Sequence, residues 1–174
     1  GRSYFHYHGP EPRLTLRYNI SDSSSIKFTY QRTRQYLHLL SNTNTPTPVD
    51  MWAPVNPYIR PQIADQVALG YFRNFKERTY EASLEVYYKS FQNQIDFKPL
   101  ASLLLNNHLE TEVLSGDGEA YGAELFIRKA KGKRLTGWLT YTLSKSIRQI
   151  DGINQNRPYP TSFDRRHNFF TAIN

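Results

Sequence analysis

Residues 134–146 read RLTGWLTYTLSKS, and this stretch decides the fold class of the chain. One side of the extended stretch carries mainly apolar side chains and the other carries hydroxyls: Leu135, Leu139, Tyr141 and Leu143 against Thr136, Thr140, Thr142 and Ser144. This two-residue period predicts a β-strand with one apolar and one polar face. The fold then depends on whether the apolar face contacts a protein core or lipid.

The composition suits one ordinary domain and argues against several classes of protein. The chain has 174 residues, no cysteine, a formal net charge of +7 and a mean hydropathy of −0.65. The lack of cysteine excludes a disulfide framework and a thiolate metal site. No apolar run approaches the roughly 18 residues of a spanning helix, whereas a spanning strand stays polar on average because only every second residue meets lipid. The cations are spread along strands and turns, so no nucleic-acid surface is predicted.

The alternating pattern recurs along the chain, and its connections follow a regular order. Short polar turns (SDSS, KERT and AKGK) alternate with long loops over residues 41–62, 98–118 and 151–163. Outer-membrane barrels have this asymmetry between periplasmic turns and extracellular loops, whereas β-sandwiches mix their connections. The pattern therefore predicts an all-β, antiparallel transmembrane barrel segment with about seven long strands.

Strand length and aromatic placement support the same prediction. Residues 80–97 read as one extended run, which exceeds the roughly 9–11 residues that a membrane strand needs. Tyr80 and Tyr88 flank the apolar stripe formed by Ala82, Leu84 and Val86. Aromatic girdles of this kind mark both edges of the lipid band, so the apolar faces are predicted to meet lipid.

Three stretches, in order, carry a resemblance to a known family. They are IRPQIADQVALGYFRNF (59–75), EAYGAELFIRKAKGKRLTGWLTYTLSKS (119–146) and SFDRRHNFFTAIN (162–174). Within them the family pattern falls on Gly122 and Glu124, on Tyr141 to Ser144, and on Asp164, Arg166 and His167. On these motifs the chain resembles the TonB-dependent outer-membrane receptors of gut-type Gram-negative anaerobes.

This resemblance implies a barrel of about 22 strands with a plugged lumen. It implies TonB-driven import of a scarce ligand such as an iron chelate, a cobalamin or an oligosaccharide, across the outer membrane of a Gram-negative bacterium. The expected partners are outer-membrane lipid, the protein's own plug domain and the TonB complex acting on that plug. A surface lipoprotein is a further option, and neither a cofactor nor nucleic acid is expected. Residues 1–174 are expected to be a single partial barrel domain that lacks the plug and the remaining strands.

Candidate site residues fall into two groups, and neither indicates an enzyme. No Gly-x-Ser-x-Gly or other catalytic constellation occurs. Charged residues on the polar faces are predicted to point into the lumen as ion pairs or plug contacts: Glu81, Glu85, Lys89, Glu124 and Arg128. Loop residues able to stack on or pair with a ligand are Trp52, Tyr58, Arg60, Arg157 and Tyr159. The alternatives are a non-transport outer-membrane barrel and a soluble, carbohydrate-binding β-sandwich.

Overall fold

A computed structural model describes residues 6–40, 51–98, 109–132 and 135–174 of the chain. These residues form ten β-strands: β1 (Arg13–Ser21), β2 (Ser24–Gln35), β3 (Leu37–Leu40), β4 (Met51–Pro54), β5 (Gln62–Phe75), β6 (Tyr80–Phe97), β7 (Val113–Lys129), β8 (Gly137–Ile150), β9 (Tyr159–Pro160) and β10 (His167–Ile173). Two short 3-10 turns cover Leu109–Glu112 and Asn154–Asn156. No helix in the described residues is long and apolar enough to cross a membrane.

One antiparallel sheet contains the seven strands that the sequence predicted. Its order is β1-β2-β5-β6-β7-β8-β10, with β9 added beside β8, while β3 and β4 form a separate hairpin. The connections β1–β2, β5–β6 and β7–β8 are short and lie at one end, called here the short-turn end. The longer connections lie at the opposite, long-loop end. The predicted antiparallel order and alternation of connections are confirmed.

The strand register gathers the apolar side chains on one face of the sheet, the apolar face. Two rows cross it from strand to strand: Leu16, Phe28, Leu69, Val86, Ala123 and Leu143, and beside it Tyr18, Ile26, Tyr71, Leu84, Leu125, Tyr141 and Phe169. Leu84, near the centre of the sheet, keeps 49% of its surface exposed. Because nothing in the described chain covers these rows, the apolar face is not the wall of an internal core.

The buried hydrophobic side chains lie elsewhere. In the described part of the chain they are Ile59, in the β4–β5 connection, and Ala68 and Ile150. The last two share the opposite face, the polar face, with residues such as Thr29 and Tyr87. A soluble sandwich would bury its larger apolar face, so this distribution favours a sheet that meets an apolar solvent.

Both sides of the sheet remain open within the described residues. There, β1 pairs only with β2, and β10 pairs only with β8. Unpaired edges expose rows of backbone donors and acceptors, which natural sheets cover or close into barrels. The arrangement fits part of a larger barrel.

Three predicted loop regions contain more strand than expected. In residues 41–62, β4 pairs with β3, and Tyr159–Pro160 within 151–163 pairs with β8. The segment SGDG was expected to close a loop over 98–118, but β7 already begins at Val113. Gly116 and Gly118 explain the error: a Cβ there would lie 2.2 Å from the Gln149 carbonyl oxygen or from the Gln94 Oε1, respectively. These glycines permit close strand approach and do not mark a turn.

Candidate functional site

The long-loop end of the polar face is organised by an irregularity in β6. Asn93 has a left-handed backbone conformation with φ 57°, and the β6–β7 register shifts between Phe91 and Gln94. This bulge inserts one extra residue and exchanges the faces of all later β6 side chains. The Asn93 Nδ2 donates to the Pro61 carbonyl oxygen at 3.0 Å, which fixes the bulge to the neighbouring loop. As a result Asp96 lies on the polar face.

Asp96 is the centre of a three-residue cluster. The Arg148 Nη2 lies 2.6 Å from the Asp96 Oδ2, and the Tyr159 hydroxyl donates to the same oxygen at 2.9 Å. The Arg148 guanidinium also stacks over the Tyr159 ring, 5.2 Å from its centroid. The three residues come from β6, β8 and β9, so the cluster joins the ends of two long strands to the loop that follows β8. Charge-assisted bonds of this type are among the stronger hydrogen bonds in proteins.

Burial gives this cluster its electrostatic character. The side chains of Arg148 and Asp96 are only 18% and 27% exposed. Burial, followed by the hydrogen bond to Asp96, raises the pKa of Tyr159 to about 12. Tyr159 is therefore a neutral donor at physiological pH and holds the loop through its hydroxyl.

The same loop is further fixed by main-chain bonds. The Thr161 amide donates to the Ser146 carbonyl at 3.1 Å, and the Ser146 amide donates to the Asp164 Oδ1 at 2.7 Å. Asn154, Gln155 and Asn156 are successive residues in left-handed conformation, with φ of 51°, 57° and 60°. Asp164, part of the predicted family motif, therefore ties the segment before β10 to β8 and secures the loop at the sheet end.

The five predicted loop residues divide into exposed residues and one anchor. Trp52 and Tyr58 are 62% and 78% exposed, and Arg60 and Arg157 are exposed as well. Tyr159 is half-buried and held by the cluster just described. No hydrogen bond or ring contact between described residues connects Trp52 or Tyr58 with Tyr159. A ligand-binding role for these residues stays a prediction, and the geometry gives Tyr159 an anchoring position.

A buried histidine supports the exposed aromatic loop. His38 of β3 is 2% exposed, opposite Ala53 in the β3–β4 hairpin. Burial lowers the pKa of His38, and a hydrogen bond with the Arg60 backbone opposes this effect. His38 is therefore neutral at pH 7 and connects the hairpin with the segment that bears Arg60.

The five charged residues predicted to point into the lumen, called here the charged ladder, lie on one face of the sheet. The register places Glu81, Glu85, Lys89, Glu124 and Arg128 together on the polar face. Glu85 and Glu124 are directly opposed like charges, which is unfavourable by itself. Lys27 of β2 relieves this repulsion, with its Nζ 3.4 Å from the Glu85 Oε2. Arg128 pairs with Glu81 at 3.6 Å. That this face lines a lumen stays a prediction.

Tyrosines border the apolar face at its long-loop end. Tyr30, Tyr88 and Tyr121 lie in a single row across the sheet. The Tyr30 hydroxyl donates to Asp65 at 2.8 Å and the Tyr88 hydroxyl donates to Glu119 at 2.9 Å, so these two rings each have a carboxylate partner. Such rings combine an apolar body with a polar tip, as expected where lipid meets water.

The depth of the apolar band fits a membrane. Tyr80 lies at the short-turn end of β6, eight positions from Tyr88. At about 3.3 Å per residue the two rings are about 26 Å apart along the strand. A tilt of about 40° reduces this height to about 20 Å, close to the roughly 25 Å apolar band of outer-membrane barrels.

Sequence reasoning missed Asp96, Arg148 and the pair formed by Arg32 and Asp65. Arg32 and Asp65 form a bond of 2.8 Å beside the tyrosine row. For Asp96 a signal was present: apolar residues occupy even positions up to Tyr88, but odd positions at Ile95 and Phe97. This change of parity, centred on Asn93, would have predicted the bulge and the position of Asp96 on the polar face.

Comparisons with known proteins agree with this architecture. A family model described as TonB dependent receptor-like, beta-barrel matches residues 2–172. The fold is similar to a chain in the solved structure titled "Structure of the FpvAI-pyocin S2 complex", with a TM-score of 0.63 and 12% sequence identity. The match covers 94% of this chain and 20% of that chain, and at such identity it shows the fold alone. No curated protein matches the sequence.

Proposed function

This chain belongs to the TonB-dependent receptor-like β-barrel family, and on that premise we propose that it is part of an active transporter of the outer membrane. The family suggests outer-membrane transport. The finer proposal is that the whole protein binds a scarce ligand, such as an iron chelate, a cobalamin or an oligosaccharide, and imports it with energy supplied by TonB. Its function is then binding and translocation without covalent chemistry.

The observation that carries the proposal is the uncovered apolar face. One row of apolar side chains crosses all seven strands and the row beside it crosses six, and charged residues occupy the opposite face. In water such a face costs free energy in proportion to its area, whereas against lipid acyl chains it is favourable. A membrane-embedded sheet with a polar interior explains both faces together, which the soluble sandwich does not.

The open edges support a larger closed barrel. Lipid offers no hydrogen bonds to the free edges of β1 and β10, so a sheet in a membrane has to close on itself. We propose that residues 1–174 form one partial barrel domain, completed by further strands to about 22 with a plug in the lumen. The charged ladder around Glu85 and Glu124 then faces that plug, and TonB acts through the plug. The comparisons do not support a surface lipoprotein as a partner.

The long-loop end is the proposed ligand entry. Trp52 and Tyr58 offer exposed rings for stacking, and Arg60 and Arg157 offer charges for anionic groups. The Asp96–Arg148–Tyr159 cluster holds the second of these loops in place. Tyr159 therefore contributes position more than direct contact.

A transport experiment tests the proposal. The receptor that contains this chain is deleted in its host, and uptake of radiolabelled ferric chelates, cobalamin and oligosaccharides is measured with and without a protonophore. We expect one ligand class to lose energy-dependent uptake and to regain it on complementation. If the wild-type protein is found in outer membranes but its deletion leaves uptake of every ligand class unchanged, the result would favour the non-transport barrel. A protein that stays monomeric in detergent-free buffer would favour the soluble sandwich.

A further inference from the structure

The short-turn end of the apolar face carries a cluster of cations and aromatic rings. The β5–β6 turn is closed by the Thr79 amide, which donates to the Lys76 carbonyl at 3.0 Å. The β7–β8 turn is tied to it, since the Ala130 amide donates to the Thr79 carbonyl at 2.8 Å. These bonds hold two neighbouring turns together at the short-turn end of the sheet. Residues 73–80 and 129–132 are called here the platform.

Two rings on this platform each lie beside cations. The Arg73 guanidinium carbon is 4.9 Å from the centroid of the Phe75 ring. The ammonium groups of Lys76 and Lys129 are 5.8 Å and 5.9 Å from the centroid of the Tyr80 ring. The register places Arg73, Phe75, Tyr80 and Lys129 on the apolar side of the sheet. Three positive charges therefore meet at the border of the apolar face.

The cations at this border outnumber the carboxylates. Residues 73–79 and 129–132 carry five cations and one carboxylate, Glu77. Among the described residues no ion pair engages Arg73, Lys76 or Lys129. At the opposite border the arrangement is different, because Asp65 pairs with Arg32 and accepts from Tyr30. The two borders of the apolar face thus differ: at one, tyrosine hydroxyls donate to carboxylates, and at the other, aromatic rings lie beside cations that form no ion pair with the described residues.

We propose that this platform binds the phosphate headgroup of an anionic phospholipid, such as phosphatidylglycerol, in the leaflet at the short-turn end. Aromatic rings sit at headgroup level in membranes, and nearby Lys and Arg residues attract anionic lipids. The phosphate lies among Arg73, Lys76 and Lys129. The acyl chains follow the next residues into the apolar face, Ala82 and Ile127, which are cross-strand partners. The inference goes beyond transport and depends only on the sheet lying in a membrane.

Native mass spectrometry of the full-length receptor tests this site. The purified receptor is exchanged into detergent containing equal amounts of phosphatidylglycerol and phosphatidylcholine, and retained lipids are counted at increasing activation energy. We expect the wild type to retain phosphatidylglycerol preferentially. The triple variant Arg73→Gln, Lys76→Gln, Lys129→Gln should lose about five-fold in affinity for each charge removed, and wild-type preference should fall with added salt.

A charge-matched variant at the other end provides the control. Lys98→Gln, Lys145→Gln, Arg165→Gln removes three cations at the long-loop end and should retain phosphatidylglycerol as the wild type does. Heat modifiability on gels verifies that each barrel is folded. If the first triple variant does not assemble, the three single variants and the charge-conserving set Arg73→Lys, Lys76→Arg, Lys129→Arg replace it, and the conserving set should bind normally.

Several results would overturn the proposal. These are no preference of the wild type for phosphatidylglycerol over phosphatidylcholine, an unchanged preference in the platform variants, and an equal loss in the control. A barrel that binds phosphatidylglycerol at the platform but imports no ligand would leave this site standing and refute only the proposed transport. A protein that does not enter membranes would refute both.

Discussion

Removal of the Tyr159 hydroxyl by Tyr159→Phe should loosen the loop after β8 by a defined amount. The hydroxyl donates to the Asp96 Oδ2 at 2.9 Å, and a bond to a charged group contributes about 1.5–3 kcal/mol. Because the Asp96 side chain is 27% exposed, water replaces part of the bond, so the lower value of about 1.5 kcal/mol applies. A difference of about 1.4 kcal/mol is a tenfold change in an equilibrium constant.

Hydrogen exchange measures this effect directly. The Thr161 amide donates to the Ser146 carbonyl and can exchange only when the loop opens. In the detergent-solubilised full-length receptor, we expect Tyr159→Phe to speed exchange of peptides around Thr161 about tenfold. Tyr58→Phe is the matched control, because the Tyr58 side chain is 78% exposed in the other long loop. In this variant the exchange of peptides around Thr161 should be unchanged.

A double-mutant cycle decides whether the effect acts through Asp96. In the Asp96→Asn background the Tyr159 hydroxyl has lost its charged acceptor, so Tyr159→Phe should raise the exchange rate around Thr161 by less than about threefold. Asp96→Asn alone also breaks the ion pair with Arg148 and should lower loop stability by about 3 kcal/mol. The reasoning would be refuted if Tyr159→Phe left the exchange rate unchanged or had the same effect in both backgrounds.

Three further predictions follow from the structure. Leu143→Lys should destabilise the membrane-inserted barrel by about 2–4 kcal/mol, while the adjacent Thr142→Lys, which lies on the polar face opposite Glu124, should cost under about 1 kcal/mol. Urea unfolding in lipid vesicles measures both, and equal effects would contradict the assignment of the two faces. Because the pKa of Tyr159 is raised to about 12, its contribution to loop stability should be complete below pH 10 and lost as pH rises through 12. The difference in absorbance at 295 nm between the wild type and Tyr159→Phe should therefore show a tyrosinate that forms near pH 12. Gly116→Ala should lower barrel stability by roughly 1–3 kcal/mol in the same unfolding assay, because its Cβ would lie 2.2 Å from the Gln149 carbonyl oxygen, whereas Ser115→Ala on the exposed side should be neutral.

Much of the fold could be predicted from the sequence because each strand has one apolar face. The two-residue period in segments such as 134–146 and 80–88 is a local property of the chain, and the register then follows because each apolar row has to continue across the sheet. The length difference between turns and loops indicated the order of the ends. For these features the local pattern and the global arrangement require the same residues.

The remainder depended on contacts between distant parts of the chain. Asp96 and Arg148 are far apart in sequence and meet only because a bulge at Asn93 changes the face of β6. Glycines 116 and 118 looked like a turn, since composition does not distinguish a glycine that bends the chain from one that admits a neighbouring strand. Likewise, the sequence offered Tyr159 only as a ligand contact, and its hydrogen bond to Asp96 could not be predicted because the two residues are distant in the chain.

The small residues of β7 have a consequence for the curvature of the sheet. On the polar face β7 presents Gly116, Gly118, Ala120 and Gly122 in succession, and the Tyr87 hydroxyl and the Gln94 Oε1 occupy the space beside Gly122 and Gly118. A closed sheet is more crowded on its concave side, and glycines there relieve the crowding and permit sharper bending. We therefore expect the sheet of the described strands to bend most sharply along β7.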